Sequence, residues 1–394
     1  MDGEYMISKA ETKQFTQKSS YYWEGNPVLE KKVNQNLTGK YSLVDLCCGA
    51  GGLSKGLSDT KKIVPILGVD IFTEALKTYK LNNPMTSTIL GDVRQIDDEM
   101  YKEAIGDTVV DIVAAGVPCQ GFSLANLKRN VEDERNFLFL EVVRFIKLFN
   151  PKVVIIENVS GMRSLGNGEF EKAIAEALSG SGTKGYNVKR ELLNAADFGV
   201  PQIRKRLIFV GVRKDIKEEF NFPNPKFDNI DIPYTTIQDA LSDLPVLKNN
   251  EEKTVYASSP KSTYQKCMRN NVVNNKLYNH KSPNHPKTTI ERIKNTVPGK
   301  PMYENYKQRI RLAWDIQSPT QLAGGIRPQF QFGHPDQSRG LSIRERARIQ
   351  SFPDDFIFVG GTVQGRVQTG NAVPPLLAKN IGDSVLKVLG EKNE

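Results

Sequence analysis

In Ser42-Leu43-Val44-Asp45-Leu46-Cys47-Cys48-Gly49-Ala50-Gly51-Gly52 a short apolar run passes directly into a glycine-rich turn. The run Ser42 to Leu46 predicts a buried strand, and apolar residues return at helical spacing over Leu53 to Ser58. Strand, tight turn and helix in such quick succession are the opening unit of a doubly wound α/β sheet. Glycines at the turn let backbone N–H groups close on a ligand. Taken alone, this turn serves equally well as a structural connection or as a cofactor loop, and its spacing is not the Gly-x-Gly-x-x-Gly of dinucleotide enzymes.

Working outward, apolar runs at Val64 to Val69, Val109 to Ala115 and Val153 to Ile156 predict further buried strands, with helices over Thr73 to Tyr79 and Phe137 to Phe149 between them. Ligands of such sheets bind at the carboxyl ends of the strands, so the residues just past each run carry the chemistry. Past the second run stands Asp70, a carboxylate suited to ribose hydroxyls, and further on Gly91-Asp92 suits an adenine amino group. Together with the glycine turn they predict a nucleoside pocket.

Past the third run comes Gly116-Val117-Pro118-Cys119-Gln120-Gly121-Phe122-Ser123. Proline before cysteine holds the thiol on a restrained turn at a sheet edge, where a nucleophile belongs. With a free pKa of roughly 8.5, such a thiol needs help to ionise; a small buried cysteine beside a turn is the plainer alternative. Glu157-Asn158-Val159 closes the fourth run. If the segments ending at Ala115 and Ile156 are neighbours, Cys119 and Glu157 face one crevice, although a lone acid also serves as a cap or ion-pair partner. In Gln202-Ile203-Arg204-Lys205-Arg206, alternation puts Gln202, Arg204 and Arg206 on one strand face. Guanidinium groups so placed need an anionic partner, which Glu157 or a phosphate could supply.

The chain has 394 residues, more than one ordinary core, and is 39% hydrophobic and 25% charged, as expected of a soluble, two-lobed globular protein. Its N-terminus lacks an apolar leader, and no apolar run approaches the ~18 residues of a membrane span; a cytoplasmic protein is expected. Four cysteines without a Cys-x-x-Cys pair, and three histidines, predict neither a disulfide framework nor a metal site. The net charge is +9, and Lys248 to Arg311 holds 14 Lys and Arg against 4 Asp and Glu, so that segment carries the whole excess. Its amides and interleaved aromatics (Tyr256, Tyr264, Tyr278, Tyr303, Tyr306, with Trp314 just beyond) suit phosphates and base edges, while a solvated lysine-rich surface is the bland alternative.

After Arg213 prolines recur and the strand–helix alternation stops, until Ser342 to Gln350 and Pro375 to Leu389 read as helices. The expected organisation is an irregular N-terminal arm (1–40), a doubly wound α/β domain (41–212), a smaller irregular domain (213–358) and a C-terminal segment (359–394).

The ordered set Asp45 to Gly52, Gly116 to Ser123, Glu157-Asn158-Val159, Gln202-x-Arg204-x-Arg206 and Gly370-Asn371-Ala372-Val373-Pro374 resembles the DNA (cytosine-5) methyltransferases, over roughly residues 41 to 212 and 339 to 383. The resemblance implies a Rossmann-like, mixed-sheet methyltransferase fold, with 41–212 as the catalytic cofactor-binding domain, 213–358 as the target-recognition domain and 359–394 as a C-terminal return to the catalytic domain. The implied activity is transfer of a methyl group from S-adenosylmethionine to carbon 5 of a cytosine flipped out of a specific duplex DNA sequence, releasing S-adenosylhomocysteine. Cys119 is then the nucleophile, Glu157 the acid at ring nitrogen 3, and Arg204 and Arg206 the groups that orient Glu157. The cofactor would lie against Leu46, Cys47, Gly49, Ala50, Gly51, Gly52, Asp70, Ile71, Asp92, Val93, Pro118, Asn371 and Val373. The substrate would touch Gln120, Gly121, Phe122, Ser123, Asn158 and Gln202.

Two departures stand out: Cys47 where the family usually has phenylalanine, and Ile71 in place of an aromatic after Asp70, both reducing ring stacking on adenine. Arg344, Glu345, Arg348 and Gln350 to Phe356 resemble the family's penultimate motif, which organises the recognition lobe. The compact chain implies a monomeric, nucleoid-associated prokaryotic modification enzyme without metal or membrane, genetically linked to a restriction endonuclease. An RNA cytosine methyltransferase and an inactive nucleic-acid-binding module are the other classes; the long basic insert and the complete set Cys119, Glu157, Arg204 and Arg206 favour an active DNA enzyme.

Overall fold

A computed structural model describes residues 22–32, 35–117, 138–162, 168–228, 230–323 and 331–391. Its centre is an eight-stranded sheet built from β1 (Val28–Glu30), β2 (Tyr41–Leu46), β3 (Ile63–Asp70), β4 (Ser87–Leu90), β5 (Ile112–Ala115), β6 (Val153–Val159), β7 (Tyr186–Asn194) and β8 (Lys205–Arg213). The strand order is β1-β4-β3-β2-β5-β6-β8-β7. The five strands from β4 to β6 run parallel, β8 is antiparallel to both β6 and β7, and β1 is antiparallel to β4. From β2 the chain builds outward in one direction through β3 and β4, then returns to start β5 on the other side. The topological switch point, where such sheets bind ligands, therefore lies between β2 and β5.

Alternation along each strand sends side chains to two apolar layers. Val44, Leu46, Val113, Ala115, Val154 and Ile156 pack on one face with α3 (Asp98–Ile105), α4 (Phe139–Phe149) and α5 (Glu169–Ser179). Leu43, Ile112, Ala114, Val153 and Ile155 face α1 (Gly52–Ser58) and the C-terminal α11 (Pro375–Val388) on the other. In α4, Phe139, Val142, Phe145 and Ile146 recur at three- and four-residue spacing and form the buried stripe. Proline in the first turn of α11 lacks only an N–H that the helix cannot use, and Leu377, Ala378, Ile381 and Val385 behind it are fully buried. With roughly 1.5–3 kcal/mol per large apolar side chain so buried, the last described helix is held firmly against the first described one.

A second core gathers Ile237 and Leu241 of α6 (Ile237–Leu241), Tyr264 and Met268 of α7 (Thr263–Met268), and Leu312, Phe332 and Ile349. Apart from α8 (Lys287–Asn295), α9 (Ile343–Ile349) and the short strands β9 (Ile310–Arg311) and β10 (Phe332–Gly333), regular structure is sparse there. Every residue of α9 is buried, including its charges. Arg348 donates to Asp243 at 2.7 Å and to Asp354 at 2.6 Å, and Arg344 donates to the carbonyls of Tyr278, Pro353 and Phe356. A plain amphipathic helix does not describe α9: its arginines tie together segments distant in sequence.

The elements expected from the sequence, among them α2 (Thr73–Asn82) after β3, are present with shifted ends. The third strand starts at Ile112 because Val109 lies at the surface, 70% exposed. The fourth strand continues to Val159, which puts Glu157 and Asn158 inside it. The lead-in is not wholly irregular: Val28–Glu30 adds to the sheet edge through Val28↔Leu90 and Glu30↔Thr88, satisfying backbone groups that β4 would otherwise expose.

Candidate active site

Three strand ends meet at the switch point. After β2 the chain passes through Cys47, whose φ is +59, to Gly49 and Gly51, both also at positive φ. After β5 comes Gly116. A side-chain carbon built on Gly116 would lie 3.7 Å from the Cys47 carbonyl oxygen and 3.9 Å from Glu157 Oε2 on β6. The glycine turn, the approach to the Pro118-Cys119 segment and the buried acid therefore share one small volume. Pro118, Cys119, Gln120, Gly121, Phe122 and Ser123 themselves lie outside the described residues.

Glu157 is buried and faces Arg206 diagonally across the β6–β8 pair, where Glu157 is opposite Ile208 and Val159 opposite Arg206. Arg206 Nε stands 2.7 Å from Glu157 Oε1, an ion pair by distance, although the N–H is not aimed along the hydrogen-bond line. Burial pulls the Arg206 guanidinium below its ordinary range, and the Glu157 carboxylate opposes that shift. Asn158 is buried, and its Oδ1 accepts from the Val159 N–H at 2.8 Å.

Gln202, Arg204 and Arg206 do not share one strand face. β8 begins only at Lys205, because Gln202 and Ile203 pair with Ser318 and draw the preceding segment away from the sheet. Gln202 is fully buried, donating to Gln350 Oε1 at 2.8 Å and accepting from the Gln321 N–H at 2.8 Å. Arg204, also buried, donates to the carbonyls of Gln321 at 3.1 Å and Gly370 at 3.0 Å. Of the two guanidinium groups, only Arg206 pairs with Glu157. Arg204 instead ties this wall to Gly370, next to Asn371.

The glycine turn is fixed from beneath. Asp70 Oδ2 accepts from the Gly49 N–H and Oδ1 from the Phe72 N–H, both at 2.7 Å. A methyl group on Gly52 would come 2.3 Å from the Val373 carbonyl oxygen, so the Asn371 to Pro374 segment rests directly on the turn. Asn371, the last residue of α10 (Thr362–Asn371), is exposed. Leu46, Ala50 and Val93 are buried in apolar clusters, whereas Cys47, Gly49, Asp70, Ile71 and Asp92 are partly exposed. Arg94 grips Asp92 through Nε at 3.0 Å and a terminal nitrogen at 2.6 Å; burial would raise that carboxyl, but these hydrogen bonds hold it below the usual range.

Asp45, under the turn, accepts from Ser54 Oγ at 2.6 Å while its Oδ1 has no partner; burial lifts its pKa to about 7. At Gly49 a side-chain carbon would meet nothing within 4 Å. Open space over a strained turn, bordered by carboxylates at the ends of β3 and β4, fits a nucleoside-bearing cofactor. Cys47 is not fully enclosed. Burial, with the charges of Asp70 and Asp45 next, raises its thiol well above the usual range, which keeps it protonated and unreactive.

Residues 41–387 match the family model of the C-5 cytosine-specific DNA methylases. The chain belongs to that family. It is a DNA (cytosine-5) methyltransferase. It is 35% identical over 357 residues to the Type II methyltransferase M1.HphI of Haemophilus parahaemolyticus, covering 88% of this chain and 86% of the relative. To the Type II methyltransferase M.DdeI of Desulfomicrobium norvegicum it is 35% identical over 374 residues, covering 87% and 88%. A solved DNA modification methyltransferase encoded within an Escherichia coli prophage superposes with a TM-score of 0.75 at 26% identity, covering 89% of this chain and all of that one. The methylase match begins at the first residue of β2 and so leaves out the arm that carries β1.

Several residues around this methylase crevice escaped the sequence. Gly116 is legible only as the first residue of the Cys119 motif, with nothing to disclose its packing against Cys47 and Glu157, and Arg94 is hidden because an arginine two residues after an acid is commonplace. In the basic segment, Tyr256 and Tyr264 are buried in the second core, where the Tyr256 hydroxyl donates to Asp354 and Arg269 lies over its ring at 3.7 Å. Their amphipathic rings serve packing, not a nucleic-acid surface. Nearer the surface, Tyr303 and Tyr306 interleave with Arg292 and Arg309, which lie 4.4 to 5.5 Å from the ring centroids. Among the described residues no group of three or more His, Cys, Asp or Glu has metal-holding geometry, and no helix is long and apolar enough to cross a membrane.

Proposed function

We propose that this methylase modifies carbon 5 of a cytosine extruded from a specific duplex sequence, through a covalent adduct with Cys119 and with S-adenosylmethionine as donor. What supports this reading is the meeting of strand ends, with Gly116, three residues before Cys119, packed between the glycine turn and Glu157. When bound, S-adenosylmethionine supplies an electrophilic methyl group and leaves as S-adenosylhomocysteine. The Cys47 to Gly52 turn, Asp70, Ile71, Asp92, Val93, Pro118, Asn371 and Val373 would hold it.

In this reading the Cys119 thiolate forms a bond to cytosine carbon 6, and the displaced ring electrons make carbon 5 nucleophilic. Glu157 stabilises the charge arriving at ring nitrogen 3 by a proton or a strong hydrogen bond. Arg206 holds Glu157 in position, and Arg204 is a positioning residue that acts through Gly370 and Gln321. Once the methyl group is on carbon 5, a base takes the proton from that carbon, the electron pair re-forms the ring double bond, and the thiolate leaves.

Extrusion of the base costs a few kcal/mol, recovered by phosphate contacts from the basic region between 213 and 358 and by Gln120, Gly121, Phe122, Ser123 and Asn158 around the extruded ring. The relatives named Type II methyltransferases support a role in restriction–modification, with a monomer acting beside a cognate endonuclease at the nucleoid. An oligonucleotide carrying 5-fluorocytosine at the target should give a denaturation-stable adduct at residue 119. Cys119→Ala should abolish methyl transfer and leave duplex binding within about twofold; retained turnover would refute the nucleophile assignment. Parallel assays on duplex DNA and transfer RNA separate this reading from an RNA enzyme, and bisulfite sequencing reads the target sequence.

A further inference from the structure

An edge strand antiparallel to β4 must enter the sheet from the rim where β4 ends. Val28 is opposite Leu90, so the residues just before Val28 cross the carboxyl-end rim, beside the carboxylates assigned above to ribose and adenine. That crossing is anchored at two points. The Trp23 N–H donates to the Ile71 carbonyl at 2.8 Å, and Tyr22 bridges Phe72, their ring centroids 5.9 Å apart. Four residues further on, Pro27 sits against Gly91, where a side-chain carbon would come within 2.9 Å of it. One short stretch thus touches the loop after β3 and the loop after β4, next to Asp70-Ile71 and to Asp92 respectively.

Its own shape is fixed as well. The Trp23 indole N–H donates to the Asn26 carbonyl at 2.8 Å, and Gly25 packs against the ring so closely that a side-chain carbon there would lie 2.9 Å from it. Tyr22 leaves 41% of its surface exposed at the rim. These two aromatics come from outside the methylase match, in a chain whose own crevice offers Cys47 and Ile71 where ring stacking is expected. We infer that Tyr22 and Trp23 form an adenine-side wall of the cofactor crevice, a binding surface contributed by the arm. The inference rests on the proposed use of S-adenosylmethionine and deepens it: aromatic faces stack on a purine whatever its methyl donor end is doing.

The test is binding of S-adenosylhomocysteine by calorimetry to the full chain and to Tyr22→Ala/Trp23→Ala, with melting temperature and duplex DNA affinity as controls. The double variant should bind about five- to tenfold more weakly, with DNA affinity unchanged. Equal affinity in both proteins overturns the wall, whereas no binding by the unaltered chain sinks the cofactor reading itself. Should the double variant fold poorly, the chain's two tryptophans allow a second route: in Trp314→Phe, emission reports Trp23 alone. S-adenosylhomocysteine should shift that emission saturably and adenosine should compete. An unresponsive Trp23, or a signal displaced by methionine and not by adenosine, overturns the assignment.

Discussion

Arg206→Met isolates the energetics of the buried pair on which the candidate site depends. The Glu157 and Arg206 side chains are 10% and 11% exposed and approach to 2.7 Å. At an effective dielectric of about 20 their attraction is roughly 6 kcal/mol, most of it offset by the desolvation of both groups. The two charges together therefore contribute little net stability, but removing one leaves the other buried without a counter-charge. Arg206→Met should cost about 3–5 kcal/mol in urea unfolding at neutral pH, while Arg206→Met/Glu157→Gln should recover most of that loss. Methyl transfer should fall by orders of magnitude in both, because the first loses the positioning of Glu157 and the second loses its acid. A single variant within about 1 kcal/mol of the parent, or effects that simply add in the double variant, would show that the two groups are not coupled and that the site is held in another way.

Gly52→Ala drives a methyl group into the Val373 carbonyl at 2.3 Å and should lower stability by about 1–3 kcal/mol or more, with weaker S-adenosylhomocysteine binding; an alanine variant that melts like the parent contradicts the close seating of the two segments. Asp45, whose folded pKa of about 7 lies above its ordinary value near 4, takes up a proton more readily folded than unfolded. Its contribution is therefore fully present below about pH 4 and is lost as pH rises to 7, by a few kcal/mol. Asp45→Asn should flatten that part of the stability profile, and an unchanged profile counts against the burial argument. Tyr303→Ala/Arg309→Ala, at the half-buried guanidinium–aromatic cluster, should weaken duplex binding and reduce its salt dependence by about one phosphate contact, leaving S-adenosylhomocysteine affinity as it was; an unaltered salt slope excludes the cluster from the DNA surface.

The sequence by itself determined the class of fold and the order of the chemical motifs. Continuous apolar runs, a glycine turn, Asp70, Pro118-Cys119 and Glu157 are local signals, each readable within a few residues because strand burial and turn chemistry are local physics. Tertiary structure decided which strands are neighbours: β5 pairs with both β2 and β6, and only that order brings Gly116 to Cys47 and Glu157. It also decided between the two arginines. Residue alternation from Gln202 to Arg206 is compatible with one shared face, but pairing with Ser318 delays the strand until Lys205, leaving Arg206 on Glu157 and turning Arg204 to Gly370. Burial of charge in α9 and capture of Val28–Glu30 by the sheet edge were likewise invisible, since both satisfy groups supplied by segments far away in sequence. Composition tells which groups need partners, and only the packed chain says which partners they find.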